Sequence, residues 1–328
     1  MTSPLIRSDE DLVTIESIRE AASGLAGVAV RSPLQPVETL SRAAGVPVYL
    51  KLENRQPTGA FKLRGAWTAI RRMSGEARAR GVITYSSGNH GQAVAFAARR
   101  LEVRAVVVMP ESAPEIKVAG VRRWGGEVVF AGTTSEDRKA KASELVEHEG
   151  LTVVPPFDHP DIIAGQGTVG LEIVEDLPDV ALVVVPVGGG GLIAGVTTAV
   201  KSLVRKASIT GVEPVGSAAL GAALAAGKIV SLDRTHSVAD GLLPLAVGER
   251  NFELLHGRVD AVTVSDDAII DATVWLHREV GLTVEPSGAA TTAALRAEAI
   301  RPTGPTVLIV SGGNIDPAAV ERLAGEGR

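Results

Sequence analysis

Four short segments of the 328-residue chain carry residue types that could hold an anion, a heterocycle or a reactive amine. The first is Lys51-Leu-Glu-Asn-Arg-Gln-Pro-Thr-Gly-Ala-Phe-Lys62-Leu-Arg-Gly-Ala. Pro57 and Gly59 make a turn, and the pattern predicts a helix over about 63–73 with Lys62 at its N-terminal end. A cation placed there opposes the helix dipole. With the apolar Ala60 and Phe61 before it, the position favours a depressed amine pKa. A neutral lysine amine is the nucleophile that Schiff-base chemistry needs. Taken alone, a lysine is more often a solvated surface charge.

The second segment is Tyr85-Ser-Ser-Gly-Asn-His-Gly-Gln92, after an apolar run and before an Ala-rich one. Free N–H groups at a helix start bind anions, so Ser86, Ser87, Gly88, Asn89 and His90 could cradle a carboxylate or phosphate. A capped turn reads equally well. In the third, Val183-Val-Val-Pro-Val runs into Gly188-Gly-Gly-Gly191 and then Leu192-Ile-Ala194. Four glycines in a row have a large entropic cost unless a backbone must approach something closely, and a phosphate is the usual guest. Gly189, Gly191 and Ala194 also fit the dinucleotide pattern G-x-G-x-x-A, with Glu213 placed 19 residues on to meet a ribose. The fourth, Leu308-Ile-Val-Ser311-Gly-Gly-Asn314, puts a hydroxyl at the end of a buried strand, where it could face a heterocycle nitrogen or merely form a turn.

Regular elements must position these segments. Runs rich in β-branched residues recur at 82–85, 105–109, 127–130 and 151–154, their starts 23, 22 and 24 residues apart. Helix-like stretches such as 91–100 and 135–149 lie between them, the second opened by Thr134, Ser135 and Asp137. Strand, helix and strand at this spacing means βαβ units and a parallel sheet. Further strands are expected at 48–52, 181–187, 209–212, 261–264 and 306–310. The simplest packing is an α/β protein in which residues 1–54 and 154–328 form a large domain and 55–153 a small inserted one. The cleft between two such domains is a favoured ligand site, beyond the carboxyl ends of the strands.

Composition excludes several classes. Net charge is −5, without the basic excess of a nucleic-acid scaffold. There are no cysteines, so disulfides, thiolate metal sites and a Cys nucleophile are out. The six histidines show no helical metal-ligand spacing, and no G-x-S-x-G elbow is present. The stretch 180–200 is long and apolar enough for a membrane, but Pro186 and the four glycines make it a strand, a turn and a helix. No signal peptide is visible at the N-terminus, and a cytoplasmic protein is expected.

The four segments in this order resemble the fold-type II pyridoxal-phosphate enzymes, nearest to the serine/threonine dehydratases and serine racemases. The resemblance runs from Arg31-Ser-Pro-Leu to Asn314 and includes Ala164-Gly-Gln-Gly-Thr168. It implies two parallel-sheet α/β domains like those of the tryptophan synthase β subunit, and pyridoxal 5'-phosphate as cofactor. By the same resemblance Lys62 forms the Schiff base and Asn89 bonds the pyridine 3-oxygen. Gly188, Gly189, Gly190, Gly191 and Leu192 cup the phosphate, and Ser311 faces the pyridine nitrogen. Ser87 sits on the face opposite Lys62, and Ser86, Ser87, Asn89 and His90 lie near the substrate carboxylate. The family's divalent-cation site would use Glu213, but its later acid falls at Ala219, which leaves too few oxygen ligands for a hard cation. Pro244 stands where racemase-like members have a polar residue. The chain ends soon after Asn314, so feedback control through a C-terminal regulatory domain is not expected.

The implied reaction is β-elimination from L-threonine or L-serine, giving 2-oxobutanoate or pyruvate and ammonia. Racemisation of serine, or dehydration of a relative such as 3-hydroxyaspartate, is the alternative, and a nicotinamide-binding oxidoreductase the remote one. The expected partners are a small amino acid and further copies of the chain in a dimer or tetramer. Neither nucleic acid nor a membrane is expected.

Overall fold

The computed structural model describes residues 13–86, 88–113 and 115–326. In chain order they form α1 (Ile15–Leu25), β1 (Leu34–Pro36), α2 (Glu38–Ala44), β2 (Val48–Leu52), α3 (Lys62–Arg72), α4 (Gly75–Arg80) and β3 (Val82–Thr84). Next come α5 (Asn89–Arg100), β4 (Ala105–Met109), α6 (Glu115–Arg123), β5 (Glu127–Phe130), α7 (Ser135–Glu149) and β6 (Thr152–Val153). They are followed by α8 (Pro160–Asp176), β7 (Leu182–Pro186), α9 (Gly191–Leu203), β8 (Ser208–Pro214), α10 (Ala219–Ala226) and α11 (Glu249–Leu255). The last are β9 (Asp260–Val264), α12 (Asp266–Val280), α13 (Pro286–Arg296), β10 (Thr306–Val310) and α14 (Pro317–Glu326).

The strands make two sheets. The larger has the order β1-β2-β10-β7-β8-β9, parallel except for β1, and the smaller has the order β5-β4-β3-β6, all parallel. Strand β4 (Ala-Val-Val-Val-Met) is buried along its whole length, as is β10, because helices cover both faces. Apolar clusters fill both sides of the larger sheet, one built around Val184, Leu308 and Val310 and the other around Val183, Val185 and Ile309.

Topology brings the four segments together. In the smaller sheet the strand order reverses at β3, and the Ser86–His90 loop leaves that strand. In the larger sheet the order reverses between β10 and β7, and these two strands feed Ser311–Asn314 and Gly188–Gly191. Both switch points therefore open their carboxyl-end crevices toward one place, where α/β sheets bind ligands.

Some boundaries differ from the sequence expectation. The strand expected at 82–85 ends at Thr84, where the chain turns out of the sheet, and that at 151–154 shrinks to Thr152–Val153 at the sheet edge. The strand expected at 209–212 lengthens to Ser208–Pro214, because it pairs with β7 on one side and β9 on the other. Helix α3 begins at Lys62 itself, and α5 at Asn89. The apolar stretch 180–200 resolves into β7, a glycine turn and α9, and no helix among the described residues is long and apolar enough to cross a membrane.

Candidate active site

A cavity of about 1200 Å³ lies between the carboxyl ends of the two sheets. Lys62, Ser86, Asn89, His90, Gly188–Gly191, Leu192 and Ser311 all line it. Ser87 lies outside the described residues.

Lys62 opens α3, whose N-cap Phe61 makes no side-chain capping bond. Its Nζ donates to the carbonyl of Pro156 at 2.6 Å. Among the described residues no carboxylate pairs with it, and burial lowers its pKa to about 8. The cause of that fall is desolvation, which penalises the charged form.

Across the cavity the glycine loop leads into α9. A side chain at Gly189 would meet the Phe157 ring at 2.3 Å, and Gly190 has a φ of +92°, so both positions exclude other residues. The buried Asn251 fixes the loop by donating from Nδ2 to the carbonyl of Gly189 at 2.7 Å. The result is a shallow cradle at a helix N-terminus, suited to a phosphate.

Asn89, in the first turn of α5, has its amide orientation set from two sides. Its Nδ2 donates to Glu285 Oε1 at 2.5 Å, and its Oδ1 accepts from Asn314 Nδ2 at 2.7 Å. Its second N–H is left for a guest. Glu285 caps α13, and burial, assisted by the charge of Asp240, raises its pKa to about 7. Sequence reasoning missed Glu285, whose only signal was the Glu-Pro-Ser-Gly helix start, and gave Asn314 no role of its own. Ser311 is 4% exposed and follows β10 directly, and its main chain accepts from Phe61 N at 3.1 Å, tying it to the lysine turn.

His90 is buried, and burial with the nearby Lys62 charge lowers its pKa to about 3. Its Nε2 lies 3.0 Å from the carbonyl of Val154, which assigns the proton to that nitrogen. Nδ1 is then a buried acceptor with no hydrogen-bond partner among the described residues. A neutral imidazole in that tautomer has no N–H at Nδ1 to donate. Across the mouth of the cavity, Lys117 of α6 pairs with Asp240 beside Leu242, so an ion pair joins the two sheets' loops.

Glu213 stands outside the cavity. Its carboxylate accepts the N–H groups of Leu220 at 2.7 Å and Gly221 at 2.9 Å, and burial raises its pKa to about 7. Both oxygens bind the start of α10, and the residue does not line the cavity that holds the glycine turn. Among the described residues no three metal-ligating side chains come together.

An amine, a phosphate-sized cradle, a directed amide and a strand-end hydroxyl thus share one crevice. The chain matches the family described as pyridoxal-phosphate dependent enzyme over residues 26–312. It belongs to that family. The fit is local as well as global, because side-chain-free main chain at a helix start and an amine of lowered pKa line the same cavity.

Relatives of this pyridoxal-phosphate enzyme include the L-threonine ammonia-lyase of Thermotoga maritima, 39% identical over 96% of this chain and 79% of that protein. The biosynthetic L-threonine dehydratase of Escherichia coli is 44% identical over 81% of this chain, which spans only 52% of that protein's length. Among solved structures, maize serine racemase superposes with a TM-score of 0.91 at 34% identity, covering 96% of this chain and 97% of that one. The processed threonine deaminase isoform 2 of Solanum lycopersicum superposes with a TM-score of 0.89 at 40% identity, covering 98% and 90%.

Proposed function

We infer that this protein is a pyridoxal-phosphate-dependent lyase that dehydrates a 3-hydroxy amino acid, L-threonine first and L-serine second, to the 2-oxo acid and ammonia. The observation that carries the reading is an unpaired amine, Lys62, with its pKa lowered to about 8, in one cavity with the glycine cradle. The relatives named as threonine ammonia-lyases and dehydratases support the choice of substrate.

When bound, the cofactor would supply an aldehyde for amine exchange and a ring that withdraws electrons from the substrate's α-carbon. Lys62 would hold it covalently, Gly188–Gly191 and Leu192 would take its phosphate, Asn89 its 3-oxygen and Ser311 its ring nitrogen. Released by the incoming substrate amine, Lys62 would act as the base that takes the α-proton, a task suited to a group titrating near neutrality. His90, its pKa lowered to about 3 by burial and the nearby Lys62 charge, would be too weak a base to compete for that role. Ser311 offers a neutral hydroxyl where a carboxylate would keep the ring nitrogen protonated. That shortens the life of carbanionic charge and favours prompt loss of the β-hydroxyl. One water leaves in the elimination and one is consumed when the product imine hydrolyses, so threonine yields 2-oxobutanoate and ammonia.

The reading includes residues 55–153 as a small domain inserted into a large one of 1–54 and 154–328, a cytoplasmic setting and a homo-oligomer. The experiment is a panel of L-threonine, L-serine, D-serine and 3-hydroxyaspartate with the cofactor-loaded protein, measuring 2-oxo acid release and serine enantiomers. Fastest 2-oxo acid release from L-threonine supports it. Enantiomer exchange that outpaces elimination replaces it with a racemase.

A further inference from the structure

Two residues beyond Lys62, on the opposite side of α3, stands a second cation with a different life. Arg64 is 1% exposed and spends its whole guanidinium fork on protein partners. Its Nε and Nη2 donate to the two oxygens of Glu53 at 2.8 Å each. Nη1 donates to Glu172 at 2.7 Å and Thr168 at 3.0 Å, and Nη2 reaches Glu172 at 3.0 Å and the carbonyl of Val30 at 3.3 Å. Lys51, wholly buried, extends the cluster by donating to Glu172 at 2.6 Å and lies 3.9 Å from Asp176. Glu53 follows β2, whereas Thr168 and Glu172 lie on α8.

Helix α8 is also where α3 and α9 meet. A side chain on Gly165 would strike the carbonyl of Arg64 at 2.5 Å, and one on Gly195 of α9 would strike the N of Gly167 at 2.5 Å. The Ala164–Thr168 segment therefore holds the backbones of both helices in direct contact, with no slack for either to slide. Helix α3 begins with the amine and α9 begins at the end of the glycine cradle.

We propose that α8 sets the distance between the two attachment points of the cofactor, and that Arg64 is the positioning residue that locks Lys62 onto that gauge. The proposal rests on the reading that Lys62 and the glycine loop hold opposite ends of pyridoxal phosphate. A lysine at position 64 would keep the charge but lose the planar fork that reaches three elements at once.

The test compares wild type, Arg64→Met, Arg64→Lys and Arg72→Met. Arg72 lies at the far end of α3 and also bridges to α8, through Asp161 at 2.7 Å, so its loss weakens the same helix pair away from the amine. Each protein, loaded with pyridoxal phosphate, is treated with borohydride across a pH series, and the labelled fraction of Lys62 is read by peptide mass spectrometry. Cofactor retention on dialysis and melting of the cofactor-free protein are measured in parallel. Arg64→Met is expected to weaken retention by roughly ten- to a hundredfold, the scale of a misplaced reacting group, and to move the pH midpoint of labelling. Arg64→Lys should fall between, and Arg72→Met should lower melting with the midpoint unmoved. Arg64→Met behaving like Arg72→Met overturns the proposal while Lys62 labelling in the wild type keeps the functional reading intact. A wild type unlabelled at Lys62 overturns both. If Arg64→Met does not fold, Arg64→Lys and Thr168→Val carry the comparison, and unchanged retention and midpoint in both overturn the proposal.

Discussion

The two sides of the first turn of α3 treat positive charge in opposite ways. On the cavity side Lys62 has a carbonyl for company and no counter-ion, so burial drives it toward the neutral amine. On the far side Arg64 is buried more deeply still, but Glu53 and Glu172 outweigh desolvation and raise its pKa further. Glu53 shows the converse, since burial works against its charge and Arg64 more than repays it, leaving the carboxyl pKa lowered. Desolvation is common to both sides, and the presence of a partner decides its outcome. One helix turn thereby provides a reactive group and the rigid charge cluster behind it.

The comparison can be broken most severely at its reactive end. Lys62→Ala should abolish both borohydride-stable attachment of pyridoxal phosphate and 2-oxo acid release, measured by intact mass and by coupled assay. On the structural side, Glu53→Ala leaves Arg64 without its main partner in a dry site. Unfolding in denaturant should show a loss of about 3–5 kcal/mol. Gly189→Ala drives a methyl group into the Phe157 ring and should cost about 1–3 kcal/mol of stability, with weaker cofactor retention on dialysis.

Smaller effects sharpen the contrast through pH. Only the neutral amine attacks an aldehyde, so the rate of pyridoxal phosphate capture by the cofactor-free protein should rise as pH passes through about 8. Glu285 has a folded pKa raised to about 7, so its contribution to stability is complete below its ordinary value of 4.5 and is lost as pH rises through 7. Glu285→Gln should reduce the fall in melting temperature between pH 5 and pH 8. Least of all, Arg104→Ala removes an exposed guanidinium from Glu127 and Glu149, and should cost no more than about 1 kcal/mol.

How much of this was legible beforehand follows the same division. The strands at Val48–Leu52 and Thr306–Val310 and the helix at Ser135–Glu149 were readable to the residue, because apolar runs and capping chemistry are local signals. The four segments that line the cavity were readable because glycines, amides and a lysine at fixed spacing announce themselves in one dimension. The charge cluster was not. Lys51, Glu53, Arg64 and Glu172 look like ordinary solvated charges until β2, α3 and α8 are folded together, and nothing within ten residues of any one of them marks it as buried. Glu285 was hidden for the same reason, since its partner Asn89 lies 196 positions away.

The bond from Lys62 to the carbonyl of Pro156 has one more consequence. A carboxylate there would be a strong mooring, fixing the ammonium and resisting every departure. A neutral amide oxygen gives up a hydrogen bond at a net cost of only about 0.5–1.5 kcal/mol, so the side chain has a berth it can leave and return to. In the role proposed for Lys62, leaving and reloading the cofactor in each cycle would be eased by the choice of a main-chain atom over an acid.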